Sequence, residues 1–206
     1  MHLAKIIAGK RLSLQCHESL RSQAVWLLGL MEDIANENGS EILKPGYKMQ
    51  VGWSILQIGQ SSDGELILLE PDYSDDPFKR TREDLTCTLS IQAEQNDFNI
   101  AVSASPFVTS FQDKIIYSKS SLDQKNIYLE RKSPRLNDSG WFIGTNDRNI
   151  SNYDIDNLAA CYTYELLKIR PAIMKVLQMP PGYLIVFDGS EVEAVLNPEN
   201  EVVYSR

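Results

Sequence analysis

Glu70-Pro71-Asp72 places two carboxylates one residue apart, the spacing in this chain best suited to acid–base chemistry or to holding a divalent cation. Two carboxylates alone make a poor cation cage, and Pro71 between them equally marks the end of a strand with solvated charges on either side. His2 and His17 are the whole imidazole supply. His17 adjoins Cys16, but neighbouring residues rarely chelate one ion, and no C-x-x-C or H-x-x-x-H accompanies them. A cysteine nucleophile at Cys16, Cys87 or Cys161 would need one of those histidines as its base, whereas free buried thiols account for all three. No G-x-S-x-G elbow, P-loop or G-x-G-x-x-G occurs, so acyl transfer and nucleotide chemistry lack their usual sequence handles. No metal or cofactor is expected.

The elements that would position these groups are legible from periodicity. Leu20, Ala24, Leu27-Leu28, Met31 and Ile34-Ala35 recur at helical spacing, predicting a helix over Ser19–Asn38 that Gly39 stops. Tyr47, Met49, Val51, Trp53 and Ile55 alternate with polar residues, predicting one strand with one buried face. Ser61-Ser62-Asp63-Gly64 has the residue types of a hairpin turn, and Glu65–Glu70 returns as the partner strand that Pro71 ends. Asp72–Arg82 reads as a loop. Residues 84–99 suit helix by Leu85, Leu89 and Ala93, and strand by the composition of Thr86–Ile91; helix is the choice made.

Ala101–Ser110, rich in small residues, Ser and Pro, marks a boundary between an N-terminal region (1–105) and a C-terminal one (111–206). Strands are expected at Lys114–Ser118 and Asn126–Glu130, a polar loop at 133–140 and apolar Trp141–Gly144 after it. Short helices are expected at Asp154–Lys168 and Pro171–Gln178, then a Tyr183–Phe187 and Glu191–Leu196 hairpin turned by Asp188-Gly189. Hairpins mixed with helices, without βαβ alternation, predict an α+β fold of two small halves packed together. Trp53 and Trp141 each follow a glycine, an arrangement that suits core packing, or an interface anchor if the ring is exposed.

At 206 residues, 43% hydrophobic and 23% charged, the chain is neither disordered nor a disulfide miniprotein, and it has the length for a full core. The longest apolar run, Ala24–Met31, is too short to span a bilayer, which needs about 20 residues, and the N-terminus lacks a secretory apolar region. Three widely spaced cysteines fit a reducing cytoplasm, in which the Asn-x-Ser triplets at Asn38, Asn137 and Asn149 are chance matches. A net charge of −8 argues against a nucleic-acid partner and leaves room for a basic protein. The acidity is uneven: 63–84 holds eight acidic residues against three basic, and 188–201 five against none, while 113–135 reverses to six basic against three acidic. Such patches are either a solvated face or a steering surface for a cationic partner.

Two blocks carry a resemblance. Asp138-Ser139-Gly140-Trp141-Phe142-Ile143-Gly144, Leu177-Gln178-Met179-Pro180-Pro181-Gly182-Tyr183 and Phe187-Asp188-Gly189 resemble the immunity protein 33-like domain, a family encoded beside toxins in bacterial polymorphic-toxin and secretion-system loci. Lys44-Pro45-Gly46-Tyr47, Gly52-Trp53-Ser54 and Leu69-Glu70-Pro71-Asp72 resemble a region that accompanies the domain in longer members. Phe142 stands where the family pattern has a basic residue. The resemblance implies a cytoplasmic, non-catalytic binder that neutralises a cognate toxin, with the motif residues Gly52, Trp53, Ser139, Gly140, Trp141, Pro181 and Gly182 acting as fold determinants. On that reading the carboxylates Glu70, Asp72, Asp75 and Asp76 are the expected partner-binding group. The alternative is a small hydrolase or metal-dependent enzyme built on Glu70 and Asp72.

Overall fold

The computed structural model describes residues 1–147 and 151–206, so the triplet at Asn149 lies outside the described residues. The chain is an α+β protein that divides into two compact units, Met1–Ala93 and Glu94–Arg206.

In the first unit, β1 (His2–Ile7) and β2 (Lys10–Gln15) form a hairpin that the sequence reading did not anticipate. Ala8 and Gly9 turn it, both at positive φ (47° and 77°), the backbone that matches the twist of paired strands. Helix α1 (Arg21–Asn38) buries Ala24, Leu27, Leu28, Met31 and Ala35, the stripe its spacing predicts. A short 3₁₀ turn precedes it, capped by the His17 ring, whose Nδ1 accepts from Ser19 N at 3.3 Å.

The single strand predicted over 47–55 is two. β3 (Lys48–Val51) and β4 (Ser54–Gln60) flank a two-residue turn, Gly52-Trp53, with Gly52 at φ +55°. Apolar alternation survives through the turn and then changes phase, so Met49 and Val51 before the turn and Trp53 within it are buried, and then Ser54, Leu56 and Ile58 after it. Periodicity alone could not see the reversal. β5 (Leu66–Pro71) pairs with β4 antiparallel and with β2 in parallel, and β6 (Thr81–Arg82) pairs with its end. The sheet order is β1-β2-β5-β4-β3, with β6 on β5.

Helix α2 (Thr86–Ala101) realises the helical choice for 84–99, and the division between units falls inside it; the Ala101–Ser110 segment follows as irregular chain. The second unit is a seven-stranded sheet in the order β10-β7-β9-β8-β11-β12-β13. β7 (Lys114–Ser118), β8 (Asn126–Arg131), β11 (Leu184–Asp188) and β12 (Glu191–Leu196) lie where expected, while β9 (Asp138–Thr145) begins inside the expected loop. β13 (Val202–Ser205) was not foreseen. The helix expected over 154–168 is corrected: β10 (Leu158–Tyr162) is an edge strand antiparallel to β7, and only Leu166–Ile169 (α3) is α-helical. Ala159-Ala160 favours a helix locally, but pairing places Cys161 opposite Ile115 in the core, and tertiary packing wins over weak propensity. Pro171–Val176 is 3₁₀ with proline at its first position, and it buries Ile173, Met174 and Val176.

Candidate functional site

The predicted partner-binding carboxylates occupy different environments, although they lie within seven residues. Glu70 is correctly placed at the end of β5 but is not exposed; its side chain is 0% accessible. It continues the inward row of Leu66 and Leu68 on β5. Its Oε2 accepts from Thr88 N at 2.8 Å, serving one of the free amides in the first turn of α2, and its Oε1 accepts from Arg82 Nε and is 2.8 Å from the second guanidinium nitrogen. Burial pushes this carboxyl up, against the pull of Thr88 and Arg82. A small polar core surrounds it. Thr88 Oγ1 donates to Ser54 Oγ (3.0 Å), the Tyr73 hydroxyl donates to the same oxygen (2.6 Å), and Trp53 stacks on Tyr73 with centroids 4.6 Å apart. Trp53 Nε1 reaches Thr88 O at 3.4 Å. Trp53 is therefore a core ring; a Cβ on Gly52 would displace the end of the Gln92 side chain, and the φ of +55° favours glycine there.

Asp72, Asp75 and Asp76 lie beyond the strand. Asp72 turns back to accept from Ser74 N (3.1 Å) and Ser74 Oγ (2.5 Å), which hold its carboxyl below the usual range. Asp75 pairs with Arg80 (2.8 Å), and Asp76 with Lys79 (2.9 Å), the latter bond lowering Asp76 and raising Lys79. The loop thus carries its own cations. Glu70 is bonded to Thr88 and Arg82, and Asp72 to Ser74. Among the described residues no three His, Cys, Asp or Glu side chains gather as a metal would require.

In the second unit the motif residues converge on a group that the sequence reading missed, Arg131. β8 alternates Ile127, Leu129 and Arg131 inward, so the guanidinium is carried into the core and is 2% exposed. Its partners are neutral. Nη1 donates to the carbonyls of Met179 (2.6 Å), Phe107 (2.7 Å) and Leu177 (3.3 Å), Nη2 to Thr109 Oγ1 (2.8 Å) and Val108 O (3.3 Å), and Nε to Ser139 O (3.1 Å). Phe107 and Trp141 lie against its faces, with ring centroids 4.8 and 5.2 Å away. Burial without a carboxylate partner pushes Arg131 down to about 10, still charged at neutral pH. The continuation of the inward row into Arg131 was the one available signal.

The other motif residues brace this centre. Trp141, 1% exposed, donates from Nε1 to Thr109 Oγ1 (3.2 Å) and Leu177 O (3.3 Å). Ser139 Oγ donates to Lys114 O (2.7 Å). A Cβ on Gly140, which sits at φ +76°, would strike Lys132 O, so the neighbouring strand can approach only a glycine. Pro180-Pro181 carry the chain from Met179 to Gly182, whose N donates to Arg131 O (2.7 Å).

These residues are framework rather than reacting groups. Cys87 and Cys161 point the same way, burial pushing both thiols up to about 12. No helix among the described residues is long and apolar enough to cross a membrane.

A family model described as Imm33-like domain matches residues 94–198. No curated protein matches the chain. No solved structure matches it.

Proposed function

Because the chain belongs to the Imm33-like domain family, we propose that it is an immunity protein, which binds a cognate bacterial toxin or secretion-system effector and occludes its active site. The observation that carries this reading is the family match, which takes in the whole Arg131 centre and all three C-terminal motif segments. The protein acts by occupancy, in the cytoplasm, with no bond made or broken at its own surface. A stable complex of this kind needs about 1,600 Å² of interface and a few buried anchors.

With a net charge of −8, the chain suits a toxin with a basic surface, and its acidic segments act mainly on the rate of encounter. Asp72, Asp75 and Asp76 are the steering group in the first unit. Glu70 is left out of it because its oxygens are buried and bonded. Replacing Asp72, Asp75 and Asp76 by Lys is expected to slow association with the toxin about tenfold at low salt and to flatten its salt dependence. Stopped-flow association at two ionic strengths measures this, and unchanged kinetics would take the loop out of the interface. The reading as a whole is tested by co-expressing the chain with the product of the adjoining effector gene. Rescue from toxicity and recovery of a stable complex support it; failure of both removes it.

A further inference from the structure

The outward face of the second sheet carries a feature that the family match does not assign. Where Leu129, Arg131, Trp141 and Ile143 point into the core, their neighbours Glu130 and Phe142 lie on the opposite side, opposite each other across β8 and β9, with Ile116 of β7 beside Phe142. Tyr153, from the irregular chain before β10, lies flat on Phe142, centroids 4.9 Å apart and planes 17° apart, and its hydroxyl donates to Glu130 Oε1 at 2.9 Å. The stacked rings wall a groove of about 260 Å³ whose other apolar sides are Ile116 and Leu158. A solvated sheet face ordinarily presents polar side chains, yet here Ile116 is 38% and Tyr153 60% exposed, with Leu136 (92%) and Ile155 (80%) flanking the groove in sequence.

The rim of the groove is basic in a chain that is otherwise acidic. Lys132 stands 5.9 Å over the Tyr153 ring and 3.4 Å from Glu130. Arg135 is exposed, and among the described residues its guanidinium takes part in no hydrogen bond or ion pair. The groove's own carboxylate, Asp138, is already occupied by Gly140 N at 2.9 Å. Flat aromatic walls beside an uncommitted guanidinium suit an apolar side chain that arrives next to a carboxylate: the ring or alkyl group packs on Tyr153 and Phe142, and the carboxylate meets the planar fork of Arg135.

We propose that this groove is the anchor site for the toxin, taking an aromatic or aliphatic toxin side chain flanked by a carboxylate, a proposal that rests on the immunity reading. Every lining residue falls within the matched span 94–198, so the site belongs to the domain rather than to the preceding unit. It also separates two roles in one partner: basic surface for encounter, an acidic-apolar segment for the final contact.

The test uses the full chain and, as probe, the product of the adjoining effector gene, with the dissociation constant measured by calorimetry and rescue scored in co-expression. Arg135→Glu and Ile116→Asp, both at solvent-facing positions, are expected to weaken the complex about 30-fold or more and to abolish rescue, while far-ultraviolet dichroism stays that of the parent. If Ile116→Asp fails to fold, Arg135→Glu together with Lys132→Glu decides the matter. Parent and variants binding within about threefold of one another overturns the groove and leaves the immunity reading standing. Absence of binding and rescue by the unaltered chain overturns both.

Discussion

Each unit buries a charge, and each answers it differently. Glu70 in the first unit is met by a formal opposite charge, Arg82, and by one amide of a helix terminus. Arg131 in the second is met by five carbonyl oxygens, a hydroxyl and two ring faces, with no carboxylate bonded to it. The chemistry of the two groups explains the division of labour. A carboxylate only accepts and titrates near the acid range, so its environment must hold it charged or let it take a proton. A guanidinium offers five fixed donors and stays charged at any physiological pH. It can therefore gather backbone dipoles from segments far apart in sequence, here 107–109, 139 and 177–179, where a titrating group would release them. The first arrangement ties a strand end to one helix; the second closes a whole unit. The Imm33-like motif residues surround the second.

Removing the arginine is the most direct way to break this contrast. Arg131→Met keeps much of the volume but leaves the carbonyls of Phe107 and Met179 facing a thioether without the donor they had, while Leu177 O keeps only Thr109 Oγ1 and Trp141 Nε1. A loss of about 3–5 kcal/mol is expected in urea unfolding. Arg131→Lys should recover only part of it, because three donors on one nitrogen cannot span carbonyls on both edges of the guanidinium. A lysine variant of parental stability would show that charge, rather than the fork, is what the site needs.

That centre also marks the limit of what could be read from the sequence. The stripe of α1, the strands β7 and β8, the β11–β12 hairpin and the helical choice for α2 all follow from local periodicity and turn chemistry, because each buries a face that its own residues define. Three failures have one cause. Gly52-Trp53 reverses the chain without interrupting the apolar alternation, β10 is made a strand by Ile115 and its neighbours across the sheet, and Arg131 is chosen by carbonyls contributed from as far as 48 residues away. In each the deciding partner is distant, and nothing within a window of one element reports it. At the candidate site the same logic separated neighbours: Glu70 and Asp72 look equivalent in sequence, yet β5 ends at Pro71, so Glu70 is held in the strand's inward row while Asp72 falls in the loop beyond it.

The pH dependence of stability sharpens the comparison on the side of the first unit. Burial raises Glu70 in the folded state, so the native protein binds this proton more tightly than the unfolded chain. Glu70 therefore contributes stability that is fully present below its ordinary value near 4.5 and is lost as pH rises through its raised folded value. Within that window the loss is up to about 1.4 kcal/mol per pH unit. Glu70→Gln, which keeps the shape and one acceptor for Thr88 N, should flatten the profile there, measured by urea unfolding at a series of pH values. A parallel profile in the variant would mean that Arg82 and Thr88 already outweigh burial.

The smallest effect is expected at the loop outside the polar core. Asp75 and Arg80 approach to 2.8 Å, but their side chains are 51% and 69% exposed, so water and salt screen most of the attraction and ordering both side chains offsets the rest. Asp75→Asn should change unfolding stability by less than about 1 kcal/mol, and the difference should vanish in high salt. The neighbouring Glu70–Arg82 contact has the same length and the opposite environment, since its carboxylate is wholly inaccessible. Breaking it with Arg82→Ala leaves a buried charge with one amide for company and should cost several times more than Asp75→Asn, an excess that persists in salt because the site excludes ions. Equal, salt-sensitive losses at both positions would place Glu70 in contact with solvent, return it to the company of Asp72, Asp75 and Asp76, and reopen its part in binding the toxin.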